Sequence, residues 1–395
     1  MTETPKVLAG EKIVCISSVD WEPIWTRKQQ VMSRLPASND IIYVEPPVTL
    51  LSPFKDPAAW AKWRKWRRGV VPWNKNICLY SPPVVAPFGN MFRWVNDLNQ
   101  GWISLFLRQI LRRLGWTDPI IWTYLPNSLP LIRRLPRKLV VYDCVDEHSE
   151  YAGLINKQLV RDMERQLMAA CDITFVTAPG LYRDKRDWAR EIYYLPNAAD
   201  VEHFQKAASP ETPVPPEMAG LPRPVLGYVG VIREWVDLDL LAYLARARPE
   251  WSLVLIGPAG PGVDLGELQR LPNVHLLGYR ERRNLPGYLK GFDVCLNVFK
   301  LNQLTERVSP LKFYEYLATG KPVVSVDMPG VRDFADVIEI ASGREEFLAA
   351  VERALAEETP QKAARRLERS RANSWDSRVR FMMEKITDKL SSKEM

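Results

Sequence analysis

The chain is poor in the residues on which metal and redox chemistry depend, with 5 cysteines and 3 histidines in 395 residues. Cys15, Cys78, Cys144, Cys171 and Cys295 are scattered, mostly inside apolar runs, and have no metal-ligand spacing. Buried free thiols in a reducing cytoplasm are therefore expected. No cluster of His and Asp/Glu has ligand spacing either, and no Asp-x-Asp metal triplet is recognised, so neither a metal nor a cofactor is expected. No apolar run reaches the roughly 18 residues of a membrane-spanning helix. The first residues, Met-Thr-Glu-Thr-Pro-Lys, lack the apolar core of a signal peptide. Gly-x-Ser-x-Gly and phosphate-loop sequences are missing, which argues against hydrolase and ATPase chemistry. Internal repeats and low-complexity tracts are also missing.

What is present is an ordinary globular composition, 46% apolar and 26% charged, in a chain long enough for two cores. Strand and helix signals alternate, which indicates parallel sheets covered on both faces. Ile13–Ile16, Ile41–Val44, Ile120–Thr123, Leu139–Tyr142 and Ile173–Val176 read as strands of a first half, with a helix through Arg27–Leu35. Val225–Val229, Ser252–Ile256, Val274–Leu277, Val294–Val298 and Pro322–Val326 read as strands of a second half, with a helix at Leu238–Ala247. The spacing predicts an α/β fold of two Rossmann-like parallel-sheet domains in series. The first spans residues 1–205 and the second 206–374. An amphipathic final helix, within 375–395, packs back on the first. Pro210–Pro224, with 6 prolines, is expected to contain the domain connection.

Charge is uneven. The segment Lys55–Trp116 holds 11 Lys/Arg against 2 Asp, and 7 of the 14 tryptophans, so the rest of the chain is slightly acidic. Basic, tryptophan-rich segments suit a membrane surface, where each cation near an anionic leaflet contributes about 1 kcal/mol. Trp60, Trp63 and Trp66 share one side of a helical projection, with Arg64, Arg67 and Arg68 close by. Further on, Ile103, Phe106, Leu107, Ile110 and Leu114 form an apolar face flanked by Arg108, Arg112 and Arg113. An anionic membrane surface is the expected partner. No nucleic-acid motif accompanies the charge, so none is expected as a partner.

The most informative segment is Ser309–Val324. Ser309-Pro310 reads as a helix start with proline in the first turn. Lys312 and Glu315, three apart, share a helix face. Gly320 and Pro322 end the helix, and Val323–Val326 reads as a buried strand. A helix N-terminus favours a diphosphate, a nearby Lys neutralises it, and a carboxylate one turn on can accept two ribose hydroxyls. The segment resembles the "P-x-K-x-x-E-Y-x-A-x-G-x-P-V-V" signature of GT-B nucleotide-sugar glycosyltransferases of the retaining family 4 type. Val141–Ser149, Asp172–Ala178, Tyr194–Asp200 and Gly227–Gly230 sit where such enzymes carry similar segments, so about Lys12 to Trp375 is covered. The chain is also similar to bacterial proteins of cell-surface polysaccharide and teichuronic acid assembly.

The resemblance implies a GT-B architecture with two domains facing a cleft. It also implies transfer of a sugar from a UDP-, GDP- or dTDP-sugar to a hydroxyl of a membrane-linked glycan or glycolipid, with retention. The enzyme would be cytoplasmic and peripherally associated with the membrane. A GT-B sugar epimerase and an inactive GT-B scaffold subunit are the alternatives. Because ligands of doubly wound sheets bind at the carboxyl ends of strands, the donor side is expected from Gly230, Arg233, Tyr279, Arg280, Ser309, Pro310, Leu311, Lys312 and Glu315. Arg233 and Lys312 would stabilise the leaving diphosphate. The family's loop Lys is replaced by Asp237, and the first of its paired glutamates by Arg307, with Glu306 one place away. In the first domain Asp146 and Glu147 are expected to be catalytic. His148, a candidate base, lies with Ser18 and Trp21 on the acceptor side. Asn197 lies in a segment that in this family runs along the interdomain cleft, with a plain turn residue as the alternative, whereas His203 and His275 read as structural.

Overall fold

Every run read as a strand forms one, and four further strands lie in short or basic segments that carry no clear strand signal. The computed structural model describes residues 8–55, 59–151, 153–302 and 305–394. The first sheet contains β1 (Lys12–Ile16), β2 (Asp40–Val44), β3 (Val70–Pro72), β4 (Ile77–Tyr80), β5 (Ile120–Thr123), β6 (Leu139–Cys144), β7 (Ile173–Val176) and β8 (Ile192–Tyr194). Their order is β3-β4-β2-β1-β5-β6-β7-β8. All neighbours are parallel except β3 and β4, which pair antiparallel at the edge. The second sheet contains β9 (Val225–Val229), β10 (Ser252–Ile256), β11 (Val274–Gly278), β12 (Val294–Asn297), β13 (Val323–Val326) and β14 (Glu339–Ala341). It is parallel throughout, in the order β11-β10-β9-β12-β13-β14.

Strands buried on both faces need continuous apolar runs, not alternation, and β5, β6, β9, β10, β12 and β13 are buried along their whole length. The missed strands lack that signal. β3, β8 and β14 have three residues each, and β4 sits inside the basic segment.

The chain divides into residues 1–195 with 379–395, and residues 196–378. The boundary thus falls ten residues before the position expected from sequence, because the segment after Pro196 is pinned to the second unit. Asn197 bonds Ser309 twice, Arg282 pairs with Asp200, and Phe204 is buried in the second core. The proline-rich stretch lies inside this unit and is not the domain connection. Its carbonyls are gathered by one side chain, since Lys290 Nζ donates to Ser209, Pro210 and Thr212 O at 2.8, 3.0 and 2.8 Å.

The helix Trp375–Glu394 starts in the second unit, where Trp375 N–H donates to Ala199 O. It crosses to the first unit as expected. There Phe381 meets Tyr193 edge-on at 5.5 Å, and Lys389 and Lys393 pair with Glu191 and Asp172 at 2.7 Å each.

Candidate functional site

In the second unit the loops after β9 and β10 are woven together by backbone. Gly230 N–H donates to Ile256 O and Gly257 N–H to Gly278 O, both at 2.8 Å. Gly257 has φ +141, and a Cβ there would lie 1.9 Å from Gly230 O, so no other residue fits. Ile232 N–H reaches Pro258 O, and Gly260 N–H returns to Ile232 O. A Cβ on Gly260 would meet Arg233 Cδ at 2.6 Å. The half-buried Arg233 is thus seated against a second loop instead of waving from its own.

The signature helix runs Leu311–Leu317, and Pro310 is the extended residue before it, not part of its first turn. Gly320 follows at φ +75 and ends it as expected. Tyr316 fixes its place: the hydroxyl accepts Val229 N–H at 2.8 Å and donates to Val229 O at 3.2 Å. The helix is thereby tied to the residue immediately before Gly230. Glu315 is 4% exposed, and among the described residues its side chain is bonded by Lys312, 2.8 Å away. Burying a carboxylate with one partner leaves acceptor capacity for hydroxyls.

Ser309 Oγ accepts Asn197 N–H at 3.0 Å, and its carbonyl accepts Asn197 Nδ2 at 2.7 Å. Asn197 Oδ1 is buried without a partner among the described residues, so it too can accept. Tyr279 is 46% exposed beyond β11. Arg280 turns away to structural work: its guanidinium donates to Leu277 O, Tyr279 O and Tyr288 OH and lies 3.5 Å from Glu217. Sequence reasoning missed Tyr316 because a tyrosine at a helical spacing reads only as core.

In the first unit the segment after β6 separates into two environments. Glu147 is 8% exposed, 3.1 Å from Lys185 and accepting Ser149 Oγ–H at 2.7 Å. Lys185 also bonds both oxygens of buried Glu164 at 2.8 Å, and Glu164 accepts Tyr142 OH at 2.7 Å. Burial pushes the Glu164 carboxyl up, but Lys185 outweighs it and holds the group below the usual range. Glu147 is therefore committed to a buried ion network, not to the reacting groups expected of it.

Asp146 is half-buried and accepts Tyr151 OH at 2.7 Å. His148 is 7% exposed, with Nε2 unpartnered among the described residues, and burial holds its pKa below the ordinary value. Its imidazole is neutral at pH 7 and able to accept a proton. Ser18 is half-buried in the loop after β1. Trp21 departs from expectation: at 1% exposure, edge-on to Tyr43 at 4.8 Å, it is core and not acceptor-side surface. Lys28, which the sequence did not single out, is 6% exposed and 5.5 Å from the Tyr124 ring centroid. Burial lowers its pKa, opposed by Asp146 and Asp143. Next to it Arg27 and Asp143 form a buried ion pair at 2.8 Å.

The expected lack of an acidic triplet is corrected by Asp237-Leu238-Asp239, which has that spacing. Asp237 accepts Leu240 N–H at 3.0 Å and caps the helix Leu238–Ala247. Among the described residues no group of three His, Cys, Asp or Glu could hold a metal ion.

The basic segment also differs in detail. Trp60, in the helix Ala59–Lys65, is 52% exposed and 5.0 Å from Trp63, while Trp66 packs on Phe106 at 5.7 Å. Arg64, Arg67, Arg68 and Arg112 are exposed and Arg108 is half-buried. In the helix Arg93–Arg113 the expected apolar face points inward, with Ile103 and Leu107 in the core. The outward face is instead Trp94, Leu98, Trp102 and Leu105, exposed by 69, 60, 46 and 59%. No helix among the described residues is long and apolar enough to cross a membrane.

Two Rossmann-like domains, with a Lys/Glu helix locked beside a glycine-bearing loop in the second, give the chain a GT-B architecture. Comparison with known proteins carries this further. Residues 223–363, the greater part of the second domain, match the family Glycosyl transferases group 1. The teichuronic acid biosynthesis glycosyltransferase TuaH of Bacillus subtilis is 26% identical over 264 residues, which cover 62% of this chain and 66% of that one, just under two thirds of its length. Among solved structures, the sucrose-phosphate synthase of Thermosynechococcus elongatus superposes with a TM-score of 0.70 at 15% identity, over 97% of this chain and 100% of that one. The trehalose 6-phosphate synthase of Burkholderia multivorans gives 0.67 at 15%, over 98% of both. Anabaena HepE, solved with UDP and glucose, gives 0.65 at 14%, over 97 and 99%. These structural likenesses establish the fold.

Proposed function

We propose that the protein moves a hexosyl group from a UDP-sugar to a hydroxyl of a membrane-linked glycan or glycolipid, with retention and without a metal ion. The observation that carries this reading is the buried Glu315 with Lys312 on a helix tied by Tyr316 to the residue before Gly230. In it, Glu315 and Asn197 Oδ1 accept donor hydroxyls, while Lys312 and Arg233 neutralise the diphosphate as it departs. Leaving-group stabilisation by groups held in place beforehand is then the main catalytic contribution, and the acceptor hydroxyl attacks on the face the diphosphate leaves. The UDP bound to HepE and the naming of TuaH as a teichuronic acid biosynthesis glycosyltransferase favour this donor and a polysaccharide acceptor.

The membrane part rests on surface chemistry. Thirteen of the twenty exposed large hydrophobic side chains recorded among the described residues fall between Leu50 and Leu114, inside or next to the basic segment. Apolar side chains flanked by cations match an anionic leaflet. Incubation with UDP-glucose, UDP-galactose and UDP-N-acetylglucosamine should release UDP slowly even without acceptor. Release from GDP- or dTDP-sugars alone would replace the donor, and no release from any would leave an inactive scaffold.

A further inference from the structure

The first unit contains a cavity of about 390 Å³ that the expected site residues do not touch. It is lined by the amides Asn90, Asn96, Asn99, Gln100 and Asn127, with Leu51, Phe88 and Leu154 among its apolar lining residues. In a chain with 26% charged residues, no charged side chain is among those that line it. The amides are held in place by one another. Asn127 Nδ2 donates to Asn90 Oδ1 at 3.0 Å, and Asn96 Nδ2 donates to Asn127 O at 3.0 Å. Asn99 bonds both Ala86 N–H and Ala86 O, at 2.9 and 2.8 Å, and so fixes the loop that presents Phe88. Asn127 Oδ1 is buried and has no partner among the described residues.

Phe88 is the second pointer. At φ +68 it is the one non-glycine residue with positive φ among those described, and its ring is 44% exposed. A bulky residue in the left-handed region is strained, and such strain persists at sites where the side chain is needed. Carboxamides offer donors and acceptors for hydroxyls without charge, and an aromatic face suits the C–H side of a pyranose ring.

We infer that this cavity is a subsite for an uncharged sugar ring of the acceptor, stacked on Phe88 and hydrogen-bonded by Asn127 and its neighbouring amides. The inference rests on the glycosyltransferase reading for the word acceptor, but binding itself is measured separately. The absence of a cation in the lining disfavours a uronate or sugar phosphate here, and the exposed Leu51 and Leu154 leave an apolar border where a lipid-linked glycan could approach.

Saturation-transfer NMR with the full chain, without donor, tests it. The probes are the methyl glycosides of glucose, galactose and N-acetylglucosamine, with methyl glucuronide as the charged control. At least one neutral glycoside should receive saturation, several-fold more than the glucuronide. Phe88→Asn, which tolerates the left-handed backbone, should abolish that signal without lowering the thermal midpoint, and Asn127→Leu should weaken it. UDP affinity should not change in either variant. No transfer to any neutral glycoside, a preference for the glucuronide, or undiminished transfer in Phe88→Asn would overturn the inference. If UDP fails to bind while the glycoside signal follows Phe88, the donor reading fails and this subsite stands.

Discussion

Replacing Lys185 with Met removes the only cation paired with Glu164 and Glu147 among the described residues but keeps the length and bulk of the side chain. Glu164 is fully buried and Glu147 is 8% exposed. Breaking a buried ion pair from one side costs about 3–5 kcal/mol, because the abandoned charge stays out of water. At about 2–4 °C per kcal/mol for a domain of this size, the midpoint of the first domain should drop by roughly 6–20 °C.

The pH dependence should also flatten. In the wild type the depressed Glu164 pKa gives stability that is present above the unfolded carboxyl value and is lost as pH falls through the folded one. Without Lys185 the depression weakens, leaving burial opposed only by His148 and the Tyr142 hydrogen bond. The Glu164 contribution should therefore shrink, so the variant should lose less further stability than the wild type as pH falls from about 7 to 4. Thermal unfolding across that range, with hydrogen exchange of β6 and the helix Pro179–Lys185 to localise the effect, reads both quantities. A loss below about 1 kcal/mol, typical of an exposed pair, or a variant whose pH slope equals that of the wild type, would refute the structural assignment of Glu147 and return it to the catalytic candidates.

Turnover should survive EDTA; loss with the chelator and recovery with Mn²⁺ would point back to Asp237 and Asp239. Vesicles with anionic lipid should co-sediment the protein and release most of it at high salt, since screening acts over about 8 Å at physiological ionic strength. Arg64, Arg67 and Arg68 changed to Glu should remove the salt-sensitive part, and Trp94 and Trp102 changed to Ser the residual part; sedimentation unaltered in both would remove the membrane from the account. Burial holds His148, His203 and His275 all below the ordinary histidine value. The unfolded chain therefore takes up protons the folded one refuses, and stability should fall as pH drops below about 6.5, a trend that denaturation midpoints at pH 7 and 5.5 can contradict.

Much of the fold was legible because parallel, doubly covered strands write themselves as unbroken apolar runs such as Ser252–Ile256. The three-residue edge strands carry no such run, and β4 was hidden by the charge around it. The donor helix was legible for a local reason: Lys312 and Glu315 sit one turn apart between a Ser-Pro start and a Gly-x-Pro stop. What sequence could not supply was pairing across the chain. Nothing in Val145–His148 says that Glu147 is claimed by Lys185, or that Arg280 is held by Tyr288. The domain boundary was misplaced for the same reason, since prolines mark irregular backbone but do not say which core a loop is stitched to. The basic segment did not show which of its apolar residues face outward, because the inward Ile103 and Leu107 and the outward Trp94 and Trp102 are all apolar.

Isothermal titration of UDP into the wild type, Glu315→Ala and Lys312→Ala tests the central claim most directly. Each variant loses a charge-assisted contact to the nucleotide, about 1.5–3 kcal/mol, so each should bind UDP roughly 10- to 150-fold more weakly while unfolding at a midpoint near that of the wild type. UDP affinity unchanged in both variants, or no UDP binding by the wild type, would contradict the assignment of this helix as the donor site.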